Sequence, residues 1–385
     1  MATRVRSYSK INLGLAIGPV RADGFHGLTT LYQTLALHDV VTVRRLAAGE
    51  PSRISLTTNH PEVPTDGRNT AWKMVERALA RMGVTAEVTI HIEKNLPVQG
   101  GLGAGSANAA AALIGLEREL GVALTAAERL ELGAEVGSDV PLFLLGGAVL
   151  GTGRGEIVSA ICDLPVTWCV VAVPEVGVST PQAFKDWDEL HVSMTVVDGT
   201  SQHRDVGHPV AGLTSPARPD RLEELSHVYA SVLGSCPFSG VGLQPEQTPD
   251  PSGIFRGPTS DRQTEGDTRN DLAENSLLAL VRTGIENDFE SVVFPQYPLL
   301  REIKRLLMGT PADVSSGDIS ETCPGDSSGT AMVAALSGSG SALFGLYRTE
   351  AEANAAQQRV QASGCKAIVT KTLPREEYWR RMFAE

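Results

Sequence analysis

The run Asn95-Leu-Pro-Val-Gln-Gly-Gly-Leu-Gly-Ala-Gly-Ser106 constrains this chain more than any other stretch. Four glycines fall among the six positions from Gly100 to Gly105. The backbone there can adopt conformations closed to other residues and can approach a ligand without side-chain obstruction. Ala107–Leu120 follows, rich in alanine and leucine, a strong helix former closed by Gly121. A glycine turn that opens onto a helix N-terminus presents free N–H groups and the positive end of the helix dipole to one spot, which suits an anion. Taken alone, the same pattern also serves as a tight strand–helix connection. Two nucleotide motifs are excluded: there is no GxxxxGK followed by Ser or Thr, and no GxGxxG after a strand with an acidic residue at the proper distance.

Around this segment the chain reads as alternating strands and helices. Residues 4–17 and Leu28–Leu37 read as extended runs, the first carrying Ser9, Lys10 and Asn12 near its middle. Residues 70–82 have helical spacing (Ala71, Val75, Leu79, Met82) and stop at Gly83; Ala86–Ile92 alternates like a half-buried strand. Thr125 with Glu128 predicts a capping box, and Gly137 ends that helix. Ser138-Asp139-Val140-Pro141 comes next, then an apolar run through Leu150. A buried strand is expected over Val166–Pro174, and ordered structure over Asn275–Val281, Tyr297–Leu307, Ala331–Tyr347 and Glu352–Ala362. Residues 192–268, apart from Leu222–Leu233, and residues 309–329 are rich in Ser, Thr, Pro, Gly and Asp and read as insertions.

At 385 residues two domains are the default, divided at about 1–158 and 159–385. A net charge of −12 with scattered Lys and Arg argues against nucleic acid and anionic membranes as partners, since both need a dense basic patch. The polar N-terminus, the lack of a spanning apolar window and five widely spaced cysteines without a CxxC pair lead us to expect a cytoplasmic protein with reduced thiols and no metal cage.

Pro97 to Ala110, Pro-x-x-x-Gly-Leu-Gly-x-Gly-Ser-x-Asn-Ala-Ala, resembles the phosphate loop of the GHMP kinases, and Ser337-Gly-Ser-Gly-Ser-Ala-Leu-Phe344 resembles their third motif. Within that superfamily the chain is most similar to the branch whose acceptor is a cytidine-diphosphate-linked methylerythritol of non-mevalonate isoprenoid synthesis. The resemblance rests on Ser9–Leu15, Asp23-Gly-Phe-His26, Leu37-His-Asp39, Gly137–Phe143, Thr180-Pro-Gln-Ala-Phe184, Asn270-Asp-Leu272 and Asn287-Asp-Phe-Glu290. It implies a two-domain α+β fold, with an N-terminal domain like domain 2 of ribosomal protein S5 and a ferredoxin-like C-terminal domain.

The resemblance also implies roles. Asp139 would take the proton of the acceptor hydroxyl and Lys10 would be its partner; read without the neighbouring motifs, Asp139 is rather the cap of the helix that follows. Phe25 and Phe184 would clamp the cytosine, His26 would read its edge, and Asn12 would lie at the diphosphate or hydroxyl end. Pro97, Gly101, Gly103, Gly105, Ser106 and Asn108 of the first loop, with Ser337, Gly338 and Gly340 of the second, would hold ATP, and Asn69 and Lys94 would lie near its adenine. Magnesium would be carried mainly by the nucleotide phosphates and water. The loop departs from the family at Ala104, usually Gly, and at Ala107, usually Ser. These changes suggest strain at the first and a lost phosphate contact at the second. The family pattern usually has Tyr where this chain has Phe25. The expected partner is a small molecule, the protein working as a monomer or homodimer. Two other readings remain: a kinase for homoserine or a mevalonate derivative, and a nucleotide-binding sensor without catalysis. The Asp23–His26 and Thr180–Phe184 matches argue against the first, and the retained Lys10 and Asp139 against the second.

Overall fold

Strands β1 (Thr3–Val20) and β2 (His26–Ala47) form one long antiparallel ribbon in a computed structural model that describes residues 2–47, 52–98, 100–198, 286–309 and 330–385. The ribbon runs from Thr3 opposite Val43 to Val20 opposite His26. β2 exceeds the expected Leu28–Leu37 because its free edge finds two further partners. β4 (Glu87–Glu93) pairs with Val40–Ala47, and β5 (Ala148–Thr152) pairs with Thr30–Gln33. β3 (Arg53–Thr58) lies parallel to β4, and β6 (Ile157–Ala160) closes the sheet beside β5. β3 was not anticipated; its alternation is confined to Ile54 and Leu56, of which only Leu56 is buried, too short a run to stand out.

Helices α1 (Thr70–Met82) and α2 (Ala104–Leu120) cover one face of this sheet, over Val41, Val43, Ile90 and Ile92. The alanine-rich sequence of α2 lets it lie close: a Cβ at Gly115 would come within 2.8 Å of Val43 Cγ2. α1 stops at Gly83 in a left-handed cap, and α3 (Ala126–Val136) opens with the Thr125/Glu128 capping box, both as expected. α4 (Val140–Leu145) follows directly.

The second sheet has the order β10 (Lys366–Lys371), β7 (Trp168–Val173), β9 (Leu343–Tyr347), β8 (Val333–Leu336), with every neighbouring pair antiparallel. Helices α5 (Thr180–Asp198), α6 (Glu290–Gln296) and α7 (Pro298–Met308) fall between β7 and β8, and α8 (Glu350–Ala362) between β9 and β10. This is the split βαβ arrangement of a ferredoxin-like unit, as expected. Leu300, Ile303 and Leu307 of α7 and Ala353, Ala356 and Val360 of α8 bury against Val170, Leu336, Leu343 and Tyr347.

A third apolar cluster joins the two sheets. Ile11, Leu13, Leu31 and Leu35 of the ribbon meet Cys169, Val171, Phe344 and Leu346, with Leu102 of the glycine turn among them. After β10 the chain crosses back. Thr372 bridges Leu35, Phe383 bridges Val5, and Tyr378 and Met382 join the core of the first sheet. In the last helix, α9 (Arg375–Arg380), Tyr378 Oη donates to Phe143 O at 2.6 Å and Trp379 Nε1 to Leu145 O at 3.0 Å, satisfying carbonyls at the end of α4.

The expected insertions lie outside the described residues from 199 and from 310 onward; so do the Leu222–Leu233 and Asn275–Val281 runs and the Asn270-Asp-Leu272 motif. α5 carries helical backbone to Asp198, past the point where the first insertion was expected to begin. Among the described residues, no helix is long and apolar enough to cross a membrane.

Candidate active site

Two register shifts in β1, between Tyr8 and Lys10 and between Asn12 and Gly14, flank the polar stretch that builds the site. Such bulges re-aim the side chains beside them. Lys10 and Asn12, two apart, face one side of the ribbon, and Tyr32 is the cross-strand partner of Asn12. Lys10 Nζ donates to Asn12 Oδ1 at 2.5 Å and lies 3.4 Å from Asp139 Oδ2. Tyr32 Oη donates to Asp139 Oδ1 at 3.1 Å. Asn12 Nδ2 in turn donates to Thr30 Oγ1 (2.8 Å), whose hydroxyl donates to Gly14 O (2.8 Å). Asn12 therefore holds the ammonium of Lys10 in place.

Asp139 stands at the N-cap of α4, yet its side chain makes no capping bond. The alternative weighed from sequence is not the one taken. Its side chain is 32% exposed, against 3% for Lys10, so a partly open carboxylate faces a buried ammonium. Burial pulls the pKa of Lys10 down, and Asp139 opposes that pull. Burial, and then the charge of Asp139, push the Tyr32 phenol well above its ordinary value, so it keeps its proton and donates.

The glycine turn sits directly alongside. Gly103, left-handed at φ 70, is the N-cap of α2 with no side-chain bond, so no capping side chain claims the first N–H groups of that helix. Gly101 passes so close to the second loop that a Cβ would lie 2.0 Å from Ser337 O. Ser337 Oγ donates to Gly101 O (2.9 Å), Ala342 N to Gly100 O (3.0 Å) and Lys10 N to Leu102 O (3.1 Å). Gly338 turns toward the same spot: a Cβ there would lie 3.5 Å from both Asn12 Oδ1 and Lys10 Nζ. Gly340 follows at φ 89. Asn287, from a motif whose purpose the sequence left open, clamps this second loop. Its Nδ2 donates to Leu336 O (2.8 Å) and Gly338 O (2.7 Å). Gly105 and Ser106 lie in the first turn of α2, where Thr70 Oγ1 donates to Gly105 O at 2.6 Å.

The two departures from the family pattern look different in three dimensions. Ala104 is the first helical residue of α2, where alanine is favoured and no strain arises. Ala107 is buried in the apolar core under α2, so a hydroxyl there would not face the loop side of the helix.

Three residues expected at the nucleotide hold the protein together. Asn69 caps α1, accepting from Ala71 N (2.9 Å) and donating to Pro64 O (2.7 Å). Lys94 Nζ is 2.6 Å from Asp39 Oδ2, and Asp39 Oδ1 accepts from Asn95 N (2.8 Å) and Leu96 N (2.7 Å). That pair anchors the chain just before Pro97. Asn108 Oδ1 accepts from Ser7 Oγ (2.6 Å) on the buried side of α2.

At the other end of the site, Phe184 of α5 stacks on His26, with centroids 5.0 Å apart and planes at 8°, and meets Phe289 edge-on. His26 Nδ1 is 2.9 Å from Gly18 O and Nε2 is 3.2 Å from Asp188 Oδ1. Phe25 is 54% exposed, with the Arg154 guanidinium over its ring at 4.9 Å. The ring stacked on Phe184 is thus His26 rather than Phe25. Tyr32, Thr30 and Asp188 went unremarked in the sequence. Only the β1–β2 register, which sets Tyr32 opposite Asn12, could have flagged Tyr32.

Comparisons with known proteins give the chain a family. The family profile described as GHMP kinases N terminal domain matches residues 69–147, and that described as GHMP kinases C terminal matches residues 326–366. A 4-diphosphocytidyl-2-C-methyl-D-erythritol kinase of Nocardia farcinica is 41% identical over 249 residues, covering 63% of this chain and 75% of that protein. One from Salinispora tropica is 40% identical over 192 residues, covering 49% of this chain and 60% of the relative. The chain thus spans about three fifths of the length of several of its curated relatives. A crystal structure of 4-(cytidine 5'-diphospho)-2C-methyl-D-erythritol kinase superposes with a TM-score of 0.59 at 22% identity, covering 96% of this chain and 98% of that one, a likeness of fold. A homoserine kinase structure from Cytophaga hutchinsonii gives 0.56 at 16% identity, covering 97% of this chain and 95% of that one. By these likenesses the chain belongs to the GHMP kinases, in the family of the 4-diphosphocytidyl-2-C-methyl-D-erythritol kinases.

Proposed function

We propose that the protein transfers the γ-phosphoryl group of ATP to the 2-hydroxyl of 4-diphosphocytidyl-2-C-methyl-D-erythritol, giving the 2-phosphate and ADP. The observation that carries this reading is the Asp139 carboxylate. It does not cap its helix, is held at both oxygens by Lys10 and Tyr32, and stands beside a helix N-terminus that no side chain caps. A carboxylate offers about four acceptor positions, so two contacts leave room for an acceptor hydroxyl.

In this reading the N–H groups of Ala104, Gly105 and Ser106 and the backbone of Gly101 and Gly103 receive the ATP phosphates, with Ser337–Gly340 closing the other side. The acceptor oxygen attacks the γ-phosphorus as its proton passes to Asp139, and the bond to the β-phosphoryl oxygen breaks. The Lys10 ammonium offsets the charge on the transferring group, in a setting too buried for water to screen it. Magnesium, arriving with ATP and held by its phosphates and water, would neutralise phosphate charge, and the uncapped N-terminus walled by glycine suits the anionic phosphates themselves. Phe184 and His26, with Phe25 and Arg154 at the rim, form the side on which we place the cytidine. We also propose that residues 1–158 supply the catalytic half and the β7–β10 unit closes the cleft, in a cytoplasmic monomer or homodimer.

The test is phosphoryl transfer from γ-labelled ATP to the cytidylyl substrate, homoserine and mevalonate in parallel. Turnover with the cytidylyl compound alone is expected. Turnover with homoserine or mevalonate in its place would reassign the acceptor.

A further inference from the structure

We propose that Tyr32 is a positioning residue for phosphoryl transfer, its hydroxyl holding Asp139 Oδ1 so that the carboxylate meets the acceptor in one orientation. The proposal rests on the reading of Asp139 as the base. Asp139 has no capping bond, and its contact with Lys10 is long at 3.4 Å. Held only there, the carboxylate could turn about its Cβ–Cγ bond. The Tyr32 contact, 3.1 Å on the other oxygen, fixes its plane.

The surroundings are shaped for that hydroxyl. A Cβ at Gly151 would lie 2.6 Å from Tyr32 Cε2, and one at Gly155 would lie 2.5 Å from Tyr32 Oη, so two glycines form the slot that seats the ring and its oxygen. Tyr32 is buried, and a buried phenol needs a partner. The partner here is Asp139. Lys10 Nζ also lies 5.6 Å from the centre of the Tyr32 ring, so ammonium, ring and carboxylate support one another. The remaining charges near the pair are Glu156, whose charge adds to the raised phenol pKa, and Arg154, 3.5 Å from Glu156.

Tyr32→Phe keeps the ring in its slot and removes only the donor. We expect kcat to fall about tenfold while KM for both substrates stays within about twofold. A hydroxyl that only supports the fold would lower Tm and leave kcat in place. An unchanged kcat, or a rise in KM for the cytidylyl substrate alone, overturns the proposal. Asp139→Asn, measured alongside, separates the two readings. If it keeps near-normal turnover, the base assignment fails first; if it is inactive while Tyr32→Phe behaves as wild type, only the Tyr32 role fails. Should Tyr32→Phe not fold, Gly151→Ala pushes a methyl against the ring edge and must give the same loss of kcat with KM for both substrates unchanged.

Discussion

Among the described residues two lysine–aspartate pairs draw on the β1–β2 ribbon, and they have been built for opposite ends. Lys94 and Asp39 are both buried, 2.6 Å apart, and Asp39 has its second oxygen filled by Asn95 N and Leu96 N. Lys10 and Asp139 stand 3.4 Å apart, with the carboxylate a third exposed and each oxygen touched once. The first pair is closed: three contacts on a fully buried carboxylate hold the chain that leads into the glycine turn. The second is left open, and its unspent capacity is what a reacting hydroxyl could use. A buried ion pair says little by itself; the number of vacant lone pairs separates an anchor from a catalyst.

The sharpest way to break this contrast is to remove the charge at each aspartate. Asp139→Asn should cut kcat by about 10²–10⁴-fold with ATP affinity and Tm little changed, read by steady-state kinetics and thermal denaturation. Near-normal turnover would make the open pair an ornament. Asp39→Ala should do the reverse, costing about 3–5 kcal/mol in urea unfolding because a buried lysine loses its partner, while whatever remains folded keeps its kcat within a few-fold. A next measurement concerns Lys10. Burial disfavours its ammonium, so its proton leaves at lower pH than that of an ordinary lysine, and a reaction that needs the charge declines as pH rises through the lowered value. The basic limb of kcat should therefore lie below about pH 10.4, and a rate flat to that pH would remove Lys10 from the mechanism. The smallest effect is expected from Asp39→Asn combined with Lys94→Met. This double variant retains an oxygen for Asn95 N and Leu96 N while deleting both charges. KM for ATP should change by no more than about twofold. A tenfold rise would restore Lys94 to the nucleotide.

What the sequence made legible, and what it hid, follows the distance over which each feature is decided. The stop at Gly83, the Thr125/Glu128 box and the glycine turn before α2 are written in a few adjacent residues, and they stand where the pattern put them. The fold of the second sheet was reached through resemblance, since its strand order depends on pairings between segments far apart. The partners of single polar side chains were least accessible. Asn69 caps α1, a role that local rules allow and the resemblance did not name. Lys94 meets Asp39 from 55 positions away and Tyr32 meets Asp139 from 107, separations at which no periodicity speaks. That Phe184 stacks on His26 was equally out of reach, because it depends on the turn at Asp23–Phe25, which leaves the Phe25 ring exposed and His26 on the inner side.

The bonds from α9 to the end of α4 give the site a birth order. Tyr378 reaches Phe143 across 235 positions of chain. A ribosome adding about 5–20 residues per second needs on the order of 10–50 s to cover that span. Throughout that interval Lys10, Tyr32 and Asp139 have all been synthesised, while the carbonyls of Phe143 and Leu145 still lack the donors that finish their helix. The nascent chain thus carries Lys10, Tyr32 and Asp139 while the far end of α4 is still loose, and the segment that finishes that helix arrives only after both sheets have been made.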